Sequence, residues 1–297
     1  MRDQAERLRQ IAESYKAELS APRRPPSRRT RVLAVTSGKG GVGKTNVSVN
    51  LSYALLAMGR EVTVLDADLG LANVDVLLGT APHMHLGHAI TGQADILDLI
   101  YQAPGGLKLI AGGSGLEDLA DLPESDLQRF IQTLRKLEGH TDFLVVDTGA
   151  GLGRTVTNFV LAADAVLMVT TPEPTSLTDA YALCKAVVRK NPAADIKLII
   201  NQVENRADAQ EAADRLSATV LRFLGASLEY LGAIPVDREV SRSVRHQQPF
   251  FLSAPHSPAS QAVRELAQRL VGEPGSPRAG VGLFFDRLTR VFARSNH

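Results

Sequence analysis

From Val32 onward the chain alternates between short, near-continuous apolar runs and longer amphipathic stretches. The runs VLAVTS, EVTVLDAD, LKLIAGG, DFLVVDT, AVLMVTT, IKLIINQV and LEYLGAIP read as strands. The stretches TNVSVNLSYALLAMG, ESDLQRFIQTLRKLE, AQEAADRLSATVLRFLG and SPASQAVRELAQRLVG read as helices. Strands covered on both faces lose the in–out alternation of a half-exposed sheet, and the helices between them supply the cover. The pattern predicts one α/β domain over residues 31–272, a single doubly wound, mostly parallel sheet.

The two ends follow different patterns. Residues 1–19 read as a polar helix with a narrow stripe of Ala5, Leu8, Ile11, Ala12 and Tyr15. Residues 20–30 form a linker in which Pro22, Pro25 and Pro26 forbid a regular helix, with Arg23, Arg24, Arg28 and Arg29 solvated around them and Arg31 just beyond. A second linker rich in proline and glycine covers residues 273–280. Over 281–297, Phe284, Phe285, Leu288, Val291 and Phe292 recur at helical spacing with Arg287, Arg290 and Arg294 beside them. Apolar side chains flanked by arginines suit an anionic membrane surface, and the linker before them predicts a tethered helix that does not pack on the domain.

Composition narrows the picture little. The 33 Lys and Arg nearly balance the 32 Asp and Glu, so no bulk attraction to nucleic acid follows. The lone cysteine, Cys184, excludes an internal disulfide framework and a cysteine-rich zinc site; it reads as a small buried helix residue of a cytosolic protein. The charged start MRDQAERLRQ lacks the apolar region of a secretory signal. No apolar run approaches the ~18–20 residues needed to span a bilayer.

The chemistry lies in SGKGGVGKT. Gly38, Lys39, Gly40, Gly41, Val42, Gly43, Lys44 and Thr45 fit G-x-x-x-x-G-K-[ST] between a strand and a helix, which identifies a P-loop NTPase. The glycines let backbone N–H groups face phosphate, Lys44 neutralises the β- and γ-phosphates, and the Thr45 hydroxyl sits on Mg²⁺. Asp66 and Asp68 end one strand and Asp147 another, close to that loop. A second lysine at the front of the loop, Lys39, is not needed for the cradle.

With VLDADLGLANVDVLLG and FLVVDTGAGLG, this loop resembles the MinD/ParA family of deviant Walker-A ATPases. The resemblance implies slow, Mg²⁺-dependent ATP hydrolysis and a homodimer formed around ATP, with Lys39 reaching the partner's nucleotide. It assigns water positioning to Asp68 and the Walker-B metal role to Asp147, and leaves Asp66 to Mg²⁺ or to loop structure. Asn73, Gly149 and Gly151 join Asp68 as switch residues. Asn201, Pro235, Val236 and Asp237 fall at the adenine end of the site.

The N-terminal stretch Asp3, Gln4, Ala5, Glu6, Arg7, Leu8, Arg9 and the segment TTPEPTSLTDAYALCKA resemble the FlhG branch of the family, also called FleN or YlxH, which regulates flagellar number. This implies that Asp3, Gln4, Leu8 and Arg9 engage the SRP-type GTPase FlhF, with Gln4 helping to orient its attacking water. It also implies anionic inner-membrane lipids, flagellar C-ring components or a flagellar transcription regulator as partners, and a cytoplasmic protein reversibly peripheral on the membrane's inner face. A division-site MinD shares the ATPase without needing Gln4. A ParA-type DNA-partitioning protein needs a basic surface for which only the linker arginines speak, and no sequence-specific nucleic acid is implied.

Overall fold

The computed structural model describes residues 29–68, 73–113, 132–272 and 280–294. The expected N-terminal helix, nearly all of both linkers and residues 124–131 of an expected helix lie outside the described residues; residues 132–135 are helical. The strands are β1 (Arg31–Ser37), β2 (Val62–Ala67), β3 (Tyr101–Gln102), β4 (Lys108–Ile110), β5 (Phe143–Ala150), β6 (Ala165–Thr170), β7 (Ile196–Val203) and β8 (Glu229–Pro235). They form one sheet in the order β3-β4-β2-β5-β1-β6-β7-β8. Every pairing is parallel except β3 with β4 at one edge. β3 is absent from the sequence reading because two residues carry no periodic signal.

The helices are α1 (Lys44–Ala57), α2 (Val74–Leu78), α3 (Leu86–Ile90), α4 (Arg154–Ala162), α5 (Pro174–Lys190), α6 (Arg206–Leu224), α7 (Arg238–Arg245), α8 (Phe250–Ser253), α9 (Pro258–Gly272) and α10 (Gly280–Arg294). β1 shows why its run is apolar throughout: all seven of its residues are buried. Leu33 and Val35 pack with α1, α8 and α9 on one face. Val32 packs on the other face with α4 and α10, and Ala34 with α4, α5 and α6. Cys184 is buried in α5, and burial pushes its thiol up to about 12. Arg31 is no part of a basic surface: its guanidinium is buried and donates to the Leu270 carbonyl at 2.9 Å.

α10 corrects the reading of the C-terminal segment. The helix forms, but its apolar side is packed on the domain. Phe284, Phe285 and Leu288 are 0%, 3% and 2% exposed, and Phe284 stacks near Phe159 of α4 with ring centroids 6.3 Å apart. Val291 is half-buried, and the side chain of Phe292 lies outside the described residues. Polar contacts hold the helix at both ends of its first turns. Glu138 Oε2 accepts the Val281 N–H at 2.6 Å, and Arg135 forks onto both oxygens of Asp286 at 2.8 Å. Each large apolar side chain buried this way contributes about 1.5–3 kcal/mol. The same apolar stripe satisfies a protein surface as readily as a lipid one, and the domain supplies the surface. Among the described residues, no helix is long and apolar enough to cross a membrane.

Candidate active site

In an open parallel sheet, ligands bind beyond the carboxyl ends of the strands where neighbouring crossovers diverge. β1 lies between β5 and β6 and runs at its carboxyl end into the glycine loop and α1. Gly43 caps α1 at φ 87°, left-handed backbone that a residue with a Cβ adopts only at a cost, and a Cβ there would strike the Asn201 amide. Gly38 has no room for a side chain against the backbone of Asp179 in α5. The loop, Asn46, Asp68, Asn73, Val76 and Val244 line an open cavity of about 420 Å³.

Asp147 is the electrostatic centre. It is fully buried, and three side chains donate to it: Lys44 at 3.0 Å and Ser48 at 2.6 Å on Oδ1, Thr45 at 2.8 Å on Oδ2. A buried carboxylate needs such partners, because removing one member of a buried pair leaves an uncompensated charge. The hydroxyl of Thr45 and the carboxylate of Asp147 give the hard oxygen donors that Mg²⁺ takes beside substrate phosphates. Among the described residues no cluster of three or more His, Cys, Asp or Glu could hold a metal by itself. Ser48 escapes the motif-based reading, although its spacing of one helical turn from Lys44 places it on the same face of α1.

Asp66 sits in register with Asp147 on the neighbouring strand. Its contacts go to the loop: it accepts the backbone N–H groups of Asp68 at 3.1 Å, Asn73 at 3.2 Å and Val74 at 3.3 Å. Burial, then the charge of Asp147, push its carboxyl up to about 6 against the pull of those donors. Of the two roles open to Asp66, these contacts favour the structural one. Asp68 lines the cavity, with the Asn73 amide donating to it at 3.4 Å and its Oδ1 lying against Gly149. Gly151, at φ 91°, donates to the Ser37 carbonyl at 2.9 Å.

The two loop lysines part company. Lys44 is buried, whereas the Lys39 side chain is 42% exposed and points to the rim, 3.3 Å from Glu173 Oε2 and 3.2 Å from Thr175 Oγ1. Glu173 precedes α5 and Thr175 lies in its first turn; both fall in the segment TTPEPTSLTDAYALCKA, to which the sequence attached no site role. At the far end, Asn201 donates to the Val42 carbonyl at 2.7 Å and so clasps the loop from β7. Pro235 ends β8, and Val236 is exposed beyond it. Asp237 caps α7 through the Glu239 N–H and holds Ala259 of α9 with its other oxygen. Burial pushes the Asp237 carboxyl up, but these N–H donors and the Ser257 hydroxyl outweigh it and hold it below the ordinary value. Asp3, Gln4, Leu8 and Arg9 lie outside the described residues.

The ParA family model, described as an NUBPL iron-transfer P-loop NTPase, matches residues 28–271. The chain is similar to the antiactivator FleN of Pseudomonas aeruginosa, 41% identical over 88% of this chain and 94% of that one. It is also similar to the flagellum site-determining protein YlxH of Helicobacter pylori, 39% identical over 88% of this chain and 90% of the relative. Among solved structures it resembles the septum site-determining protein MinD of Pyrococcus horikoshii complexed with Mg-ADP. The TM-score is 0.65 and the identity 27%, over 82% of this chain and 96% of that one.

Proposed function

Because the chain belongs to the ParA/MinD family of P-loop ATPases, on its FleN/YlxH branch, we propose that it is an ATP-driven switch in the control of flagellar number and placement. The ATPase follows from the family. The switch is a cycle between an ADP-bound monomer and an ATP-bound homodimer. Asp68 positions the attacking water, and Lys44, Thr45 and Asp147 hold the phosphates and Mg²⁺. The name of one bacterial relative, a flagellum site-determining protein, supports the flagellar output, and that of the other, an antiactivator, supports a regulatory one.

One observation carries the dimer: Lys39 stands at the rim, outside the cradle that Lys44 serves, and among the described residues its side-chain partners, Glu173 and Thr175, are exposed. A surface pair of that kind contributes about 0–1 kcal/mol, so Lys39 is readily turned toward a second subunit's phosphates. The base end is framed by Asn201 and by Pro235, Val236 and Asp237. Membrane attachment needs a further step, since Phe284, Phe285 and Leu288 are buried. ATP-driven dimerisation releases α10, and two released helices per dimer bind anionic lipid by avidity. Asp3, Gln4, Leu8 and Arg9 then stimulate the SRP-type GTPase FlhF.

Size-exclusion chromatography with ADP and with a slowly hydrolysed ATP analogue tests the core of this reading. Wild type shifts to a dimer with the analogue alone, and Lys39→Ala stays monomeric while still binding nucleotide. A Lys39→Ala protein that dimerises like wild type sinks the trans role. Liposome co-sedimentation that is the same with ADP and ATP sinks the membrane step.

A further inference from the structure

Gln202 is one of two non-glycine residues with clearly positive φ among the described residues, at 58°. The left-handed region is unfavourable for a residue with a Cβ, and glutamine lacks the short side chain that lets Asn or Asp hydrogen-bond locally there. The strain falls at a register shift. Asn201 pairs with Ile234 and Val203 with Pro235, so Gln202 is the extra residue of a bulge at the carboxyl end of β7. The bulge leaves Gln202 exposed between the buried Asn201 and Val203.

The outcome is two carboxamides beside the same glycine of the phosphate loop. A Cβ on Gly43 would strike the Asn201 amide and would lie 3.9 Å from Gln202 Nε2. Asn201 is committed to the loop through the Val42 carbonyl. The Gln202 side chain makes no hydrogen bond among the described residues. Backbone strain persists where the surroundings over-determine it, and it clusters at ligand clamps. Here it delivers an unengaged donor and acceptor beside Gly43 of the phosphate loop, on the Asn201 side to which the nucleotide base is assigned.

We propose that Gln202 is a specificity-determining residue that reads the N6/N7 edge of adenine. This rests on the assignment of Asn201 and residues 235–237 to the base end. Along that edge adenine shows a donor beside an acceptor, which a glutamine amide matches with both its groups; guanine shows two acceptors and matches only one.

The test is equilibrium binding of fluorescently labelled ADP and GDP to the full chain, wild type against Gln202→Gly, with thermal unfolding in parallel. Glycine accepts φ 58° without strain, so the bulge survives and only the amide is lost. ADP affinity falls about tenfold, a difference of about 1.4 kcal/mol, while GDP affinity holds and the unfolding midpoint stays close to wild type. An unchanged ADP affinity, or equal losses for ADP and GDP, overturns the proposal. Val236→Glu separates it from the assignment beneath it. If that variant weakens ADP binding and Gln202→Gly does not, the base is where it was placed and the role of Gln202 alone fails. If Val236→Glu leaves ADP binding unmoved, the base lies elsewhere and both fail.

Discussion

Thr30 and Val281 donate their backbone N–H groups to the two oxygens of one carboxylate, that of Glu138, at 2.7 and 2.6 Å. A second acid repeats the arrangement: Asp164 Oδ2 accepts the Val32 N–H at 3.0 Å, and its Oδ1 lies 3.8 Å from Arg287. The root of the N-terminal segment and the start of α10 are thus fastened to the same two groups. Glu138→Ala should cost about 1–3 kcal/mol, the range for leaving buried donors unpaired. Hydrogen–deuterium exchange should quicken in residues 30–35 and 281–288 together. Faster exchange in one segment alone would show that the two ends are held independently.

Ser48 is the donor on Asp147 that neither phosphate nor Mg²⁺ claims. In the proposed function Lys44 and Thr45 turn to phosphate and Mg²⁺ when nucleotide binds, which would leave Ser48 to keep the carboxylate aimed. Ser48→Ala should lower stability by about 1.5–3 kcal/mol, the worth of a hydrogen bond to a charged group. The Mg²⁺ concentration needed for half-maximal nucleotide binding should rise, with little change in the affinity measured without Mg²⁺. Unchanged urea unfolding and an unchanged Mg²⁺ titration would return Ser48 to an ordinary helix residue.

Asp66 makes a prediction in pH. Its carboxyl is raised from 3.8 to about 6 in the folded chain. Between those values the folded state binds more protons than the unfolded one, so stability from this group is greatest below about pH 4 and is lost as pH rises through 6. The swing is on the order of 2–3 kcal/mol. Asp66→Asn removes this titration. The stability difference between the variant and wild type, measured by urea unfolding from pH 4.5 to 7.5, should therefore shift in the variant's favour as pH rises. A flat difference would show that Asp66 titrates normally.

The strands and the phosphate loop were legible for one physical reason: burial on both faces and close approach to phosphate each restrict residue type over several consecutive positions. Val32 to Val35 must all be apolar in a covered central strand, and Gly43 must tolerate φ 87°. Other features leave no such trace. β3 is too short for a pattern. Asp66 and Asp147 look alike in sequence, and only the fold shows one turned to loop N–H groups and the other to Lys44, Thr45 and Ser48. Asp237 reads as a base-site residue, yet its carboxylate is engaged in joining α7 to α9. Periodicity in α10 reported an apolar stripe faithfully but could not say what covers it.

That last point has a direct measurement. Phe284 is fully buried against Phe159, so Phe284→Ala in the full chain should cost about 3–5 kcal/mol in urea unfolding. A helix held only by its linker would lose less than about 0.5 kcal/mol, the usual scale for a surface change. Leu283, on the outward side of the same turn, provides the control, and Leu283→Ala should cost much less than its neighbour. If both substitutions are nearly neutral, α10 is not docked in solution and its apolar stripe is available to lipid at all times. If Phe284→Ala alone is costly, α10 is docked, and the proposed membrane attachment needs its release. The ADP-bound protein should then stay off liposomes, and Phe284→Ala, by weakening the docked state, should let more of it bind in ADP than wild type does.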